Sequence, residues 1–103
     1  MAETSFKLTA RELVLFHKCL SSRVCLRIFK VMKRNKRLNI SAISRNARVS
    51  NGICIKHLRK LARLGIVEEE FQSGLHTFTL KNGESTRLMD EATKILNETT
   101  DME

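Results

Sequence analysis

Few side chains in this sequence could do covalent or metal chemistry. Cysteines stand at positions 19, 25 and 54 and histidines at 17, 57 and 76. No C-x-x-C pair is present, and three thiols cannot all pair with one another. The plain reading is small, buried, free thiols. The sharper one makes Cys19 and Cys25 disulfide candidates, bridging within or between chains as intracellular thiols of hyperthermophiles do. A metal site would have to combine His17, Cys19 and Cys25, but positions 17 and 19 do not share a helix face. No metal or other cofactor is therefore expected. Catalysis fares no better. There is no Ser/His/Asp set, no glycine-rich phosphate loop and no pair of carboxylates placed for acid–base work, so the chain reads as a non-enzyme.

Positive charge is what the sequence has in quantity. Its 103 residues carry 19 Lys and Arg against 11 Asp and Glu, a net charge of +8. Residues 13–67 hold fourteen of the bases and no acid, whereas residues 68–103 hold nine acids and three bases. A block so self-repelling calls for a polyanionic partner or a fully solvated face. Its bases spread over several predicted elements, which favours nucleic acid over an anionic membrane surface. Tyr and Trp are absent and the five Phe fit core positions. Stacking platforms for single strands are thus poor, and a duplex is the better partner.

Length allows one domain, and 42% hydrophobic residues is too many for a disordered basic tail. No apolar run approaches the roughly 18 residues of a membrane span. The opening MAETSFKLTARE lacks the apolar stretch of a secretory signal. The expectation is a cytoplasmic, nucleoid-associated protein with no membrane contact.

Capping residues and apolar spacing place the elements that must carry this charge. Thr9 and Glu12 form a capping box for a helix to about Leu20. Ser22 caps a second helix to about Arg34, with Val24, Cys25, Ile28, Phe29 and Met32 inward. Leu38–Ile40 reads as a strand stub, and Ser41 as the cap of a short helix. After a tight connection at Arg48–Val49, Ser50 caps a helix to about Leu64, with Cys54, Leu58, Leu61 and Ala62 inward. Gly65 stops it. Two strands, Ile66–Phe71 and His76–Lys81, flank a Gln72–Leu75 turn in which Gly74 suits a hairpin. Phe71, Phe78 and Leu80 supply its apolar contacts. A final helix spans about Ser85–Asn97, and an acidic, frayed tail closes the chain.

The segment SAISRNARVSNGICIKHLRKLARLGIVEEEFQSGLHTFTL resembles the winged helix-turn-helix regulators of the ArsR-like and MarR-like superfamily. VSNGICIKHLRKLARLGIVE is similar to the family's run of recognition helix, glycine stop and entry into the wing. Small, basic archaeal DNA-binding proteins of about 12 kDa look alike too. The resemblance implies a mainly α fold with a small β-hairpin wing, a core of about 22–81, and flanking helices of about 9–21 and 84–98 for dimerisation. It implies a homodimer on double-stranded DNA. By position, Asn51, Gly52, Ile53, Ile55, Lys56 and Arg59 would face the major groove. Arg45, Arg48 and Lys60 would lie nearer phosphates, and Ser41 and Ser50 would head the two helices whose N-termini attract phosphate. Gln72, Ser73 and His76 would belong to the wing.

Two departures bear on readout. Many wings of such relatives carry Arg or Lys at the tip, whereas this one reads EEEFQSGLHT, and Glu68, Glu69 and Glu70 on its leading strand would repel a phosphate backbone or lie as a solvated strand edge. Ile53 and Ile55 offer apolar contact with thymine methyls in place of an Arg or Gln fork. His57 reads as a packed residue. Lys33, Arg34, Lys36 and Arg37 read as a solvated helix exit or a second nucleic-acid patch. The competing functions are a chromatin-type protein with little sequence preference, a duplex-RNA binder and a protein-interaction module.

Overall fold

Capping chemistry starts four of the helices. In a computed structural model, which describes residues 8–101 with side chains to Asn97, the order is α1 (Ala10–Leu20), α2 (Arg23–Asn35), β1 (Arg37–Asn39), α3 (Ile40–Ala47), α4 (Asn51–Arg63), β2 (Val67–Gln72), β3 (Leu75–Leu80) and α5 (Glu84–Asp101). The Glu12 amide donates to Thr9 Oγ1 at 3.1 Å and the Thr9 amide to Glu12 Oε1 at 2.9 Å, closing the expected box. Ser22 Oγ accepts from the Cys25 amide at 3.1 Å, and Ser50 Oγ from the Ile53 amide at 3.3 Å.

The third cap differs from expectation. Asn39, not Ser41, caps α3: its Oδ1 accepts from the Ala42 amide at 2.8 Å, while Ser41 lies exposed in the first turn. Asn is as good an N-cap as Ser. Asn39 is also the last residue of β1, so the chain passes from strand to helix with no spacer. At the other end α5 runs past Asn97 to Asp101, and the last two residues of the expected frayed tail lie outside the described residues.

The sheet has the order β1-β3-β2, antiparallel throughout. Its β2–β3 turn is shorter than expected, because Gln72 pairs with Leu75 and leaves only Ser73 and Gly74. Both have positive φ, 51° and 80°, the pattern of a type I′ turn that matches strand twist. Ile28, Phe29 and Met32 of α2, Ile43 and Ala47 of α3, and Cys54, Leu58 and Leu61 of α4 meet Ile66, Val67 and Phe78 in one core. Phe16 and Cys19 of α1 and Met89 of α5 extend it.

The thiols are core residues. All three are free, with Cys19 and Cys54 fully enclosed and Cys25 1% exposed. Cys19 and Cys25 hydrogen-bond each other, which lowers the Cys19 pKa and raises that of Cys25. The disulfide expected of Cys19 and Cys25 gains no support: the thiols are free, and neither reaches the surface of this chain. His17 is exposed, apart from them. Among the described residues no cluster of three or more His, Cys, Asp or Glu could hold a metal ion.

His57 is packed as expected, and its Nδ1 is enclosed without a hydrogen-bond partner. Burial first, then the charges of Lys60 and Lys56, lower its pKa from the usual value of about 6.5. The unfolded chain therefore binds this proton at a higher pH than the folded one. His57 leaves stability intact above about pH 6.5 and subtracts from it as pH falls from there through the lowered folded value. Denaturant melts at pH 7.5 and 5.5 should show a loss on acidification that His57→Gln reduces. An unchanged loss would remove His57 as its source.

Candidate nucleic-acid interface

The face opposite the buried stripe of α4 is the candidate surface. Cys54, Leu58 and Leu61 point into the core. Gly52, Lys56, Arg59 and Arg63, at steps of four, three and four, therefore line the outer side, and all four are exposed. Asn51 and Ile53 are exposed in the first turn, while Ile55 and Lys60 are half-buried on the flanks. The Lys60 charge acts on Cys19, Cys25 and His57, which places it toward α1 and α2 and away from the outer stripe.

The connection between α3 and α4 brings further cations alongside. Arg45 and Arg48 are both exposed. Arg48 caps α3 in the left-handed region at φ 61°, ψ 47°, a conformation that favours glycine, and its amide donates to the Ser44 carbonyl. Arg27 holds this junction from beneath, its Nε donating to the Ala47 carbonyl at 3.1 Å. One of the fourteen central bases thus serves the scaffold.

The wing is built differently from its expected role. Val67, Glu69 and Phe71 share one side of β2, with Leu80, Phe78 and His76 opposite them on β3. Val67 and Phe78 enter the core. Further out, Glu69 Oε2 takes Arg59 Nη2 at 3.2 Å and lies 2.6 Å from His76 Nε2. Burial pushes the Glu69 carboxyl up, but hydrogen bonds from Arg59 and His76 outweigh it and hold the group below the ordinary carboxylate range. His76 is stacked on Phe71 at 4.2 Å and tilted against Phe78 at 5.0 Å. Glu70, on the other side of the strand, reaches Arg37 at 3.6 Å and Thr79.

The acidic run is therefore not one solvated edge. Glu68 is exposed, Glu69 ties the wing to α4, and Glu70 ties β2 to β1 across β3. Phe71, expected to supply apolar contacts, is 69% exposed, and among the described residues its one ring partner is His76. Leu75 is exposed beside Gln72 and Ser73 at the turn. The wing tip is apolar and polar, with its one ionisable group, His76, already engaged by a carboxylate. Sequence reading missed Glu69 as the partner of Arg59. Its signal, the in–out alternation from Val67, becomes usable only once the β2 register against α4 is known.

No model of a known protein family matches this sequence, and no curated protein matches it significantly. Solved structures do. The chain is similar to the antimony-specific transcriptional repressor AntR, with TM-score 0.71 at 15% identity over 97% of this chain and 90% of that one. It is similar to the homodimeric winged helix-turn-helix DNA-binding domain Mb0332 from Mycobacterium bovis, a possible ArsR-family regulator, with TM-score 0.72 at 13% identity over 97% and 96%. HlyU from Vibrio cholerae gives TM-score 0.66 at 18% identity over 87% and 97%. The fold expected from the resemblance is borne out; the archaeal side of that resemblance gains no support from these structures.

Proposed function

Because the chain has the winged helix-turn-helix fold, we propose that it is a double-stranded-DNA-binding transcriptional regulator that works as a homodimer on the nucleoid. Helix α4 lies in the major groove, which is about 12 Å wide and admits one helix. The observation that carries this reading is the outer stripe of α4: Lys56, Arg59 and Arg63 exposed on one side with no acid on the helix, and Arg45 and Arg48 beside it. Lys56 and Arg59 meet the duplex together with Asn51, Gly52, Ile53 and Ile55. Arg45 and Arg48 serve phosphates, as do the amides at the heads of α3 and α4 near Ser41 and Ser50, whereas Lys60, turned toward α1 and α2, adds only its field at the flank. Gln72, Ser73 and His76 follow the adjacent backbone from the wing.

Dimerisation runs through the terminal helices. Leu13 and Val14 of α1 are 59% and 56% exposed. Leu20, Ala92, Ile95 and Leu96 line an apolar recess of about 400 Å³ between α1 and α5. A two-fold pairing of this face covers both, and Mb0332, of the same fold, is a homodimer. Two α4 helices then meet half-sites about one helical turn apart.

Binding to a labelled duplex, followed by anisotropy from 50 to 200 mM salt, tests the reading. Five or six phosphate contacts per chain predict a log–log slope of roughly −5, doubled in a dimer. A slope near zero sinks it. Light scattering is expected to give about twice the 11.8 kDa chain mass; the mass of one chain would remove the half-site geometry. Selection from random duplexes that yields no preferred sequence assigns the chromatin-type role instead, and equal affinity for duplex RNA assigns shape recognition.

A further inference from the structure

A second cationic site lies away from α4. The end of α2, the end of β3 and the first turns of α5 enclose a cleft of about 280 Å³. Lys33, Lys36, Lys81 and Arg87 line it, with Asp90 the sole acid. Asp90 is occupied by Lys33 at 3.0 Å and, from outside the cleft, by Lys94 at 3.7 Å. Among the described residues no ion pair engages Lys36, Lys81 or Arg87. The walls are fixed: the Leu80 amide donates to the Lys36 carbonyl at 2.6 Å, and Thr86 Oγ1 donates to the Lys81 carbonyl at 2.7 Å.

Lys36 is also in an unusual conformation. It caps α2 at φ 67°, ψ −43°, outside the left-handed helical well and in a region where glycine is the ordinary occupant. Strain of this kind persists where the surroundings over-determine it, and it clusters at ligand sites. Here it sets a lysine on the rim of a cleft that already holds three cations.

We propose that this cleft binds the phosphoanhydride chain of a small polyphosphate, either inorganic or the tail of a nucleotide. Four cations on three walls against one carboxylate leave an excess of three positive charges, matched to a compact anion of three or four negative charges. The cleft is smaller than the roughly 300–1,000 Å³ of a drug-sized pocket, so it takes the charged chain and leaves the rest of a ligand outside. It opens at the end of the sheet away from the Ser73–Gly74 turn. Five residue steps along β3, about 17 Å, separate the two, so a duplex held by the wing tip leaves the cleft free. A bound anion competes with Asp90 for Lys33 and thereby bears on the tie between α2 and α5.

Titration calorimetry at constant ionic strength with inorganic tripolyphosphate tests the site. Tripolyphosphate should bind at least tenfold more tightly than sulfate. The double variant Lys81→Ala/Arg87→Ala should lose at least tenfold of that affinity with duplex affinity kept within twofold. Lys36→Gly, which relieves the backbone and cannot be blamed on misfolding, should lose about threefold while melting at a higher temperature. A nucleoside triphosphate binding at least as tightly assigns nucleotide tails as the source; weaker binding assigns the inorganic chain. Equal affinity for sulfate overturns the site. So does tripolyphosphate binding unaltered in both variants, or duplex affinity falling in step with it.

Discussion

Replacing Phe78 with alanine is expected to lower stability by about 3–5 kcal/mol, on the order of 15–30 °C in Tm for a domain of this size. Phe78 is fully enclosed and stands on the central strand, opposite Leu38 of β1 and Glu69 of β2. Its loss leaves a cavity where the sheet meets the helical core, and three strands converge on it, so the site cannot simply collapse. Phe71 is the control. The same side-chain type on the same sheet is 69% exposed, so Phe71→Ala should change stability by no more than about 0.5 kcal/mol. Thermal melts at one protein concentration decide the matter; equal losses for the two variants would mean that the core does not centre on β3.

The second large effect falls on binding. Lys56→Ala/Arg59→Ala should weaken duplex affinity at least tenfold at moderate salt and make the log–log salt slope shallower by roughly 1.8 per chain. Both side chains are exposed, so the fold should survive. The two should not contribute equally. The Arg59 guanidinium rests on Glu69 in the free protein, and a phosphate must replace that carboxylate, whereas Lys56 has no such competitor among the described residues. Lys56→Ala alone should therefore cost more than Arg59→Ala alone. Glu69→Gln should act in the opposite direction, tightening binding about two- to fivefold, the range of an exposed ion pair. Unaltered gel-shift affinity in the double variant would eliminate α4 as the reading helix and favour a protein partner.

The sequence revealed most where a local rule decides. Thr9, Ser22 and Ser50 each have a backbone amide three residues ahead to accept from, and Gly65 takes the φ of 76° that a helix stop requires. The apolar stripe of α4 followed from spacing alone. Asn39 lies in the strand expected of it, pairing with Thr77, and also caps α3 in place of Ser41; a rule that gives each residue one role cannot find the second. The hairpin turn was drawn too wide because Leu75 reads as a loop residue until Gln72 pairs with it. The Glu69–Arg59 contact and the use of Arg27 beneath the Ala47 carbonyl depend on how distant elements dock. Charge counting puts these cations in the right block and cannot say which of them are already spent.

The three enclosed thiols make this molecule its own stopwatch. Cys19, Cys25 and Cys54 belong to α1, α2 and α4 respectively. An alkylating reagent can reach each sulfur only after its helix swings open. Peptide-resolved labelling would thus time the opening of three helices separately in the untouched native chain, and would rank the scaffold under α4 against its flanking helix with no engineered probe.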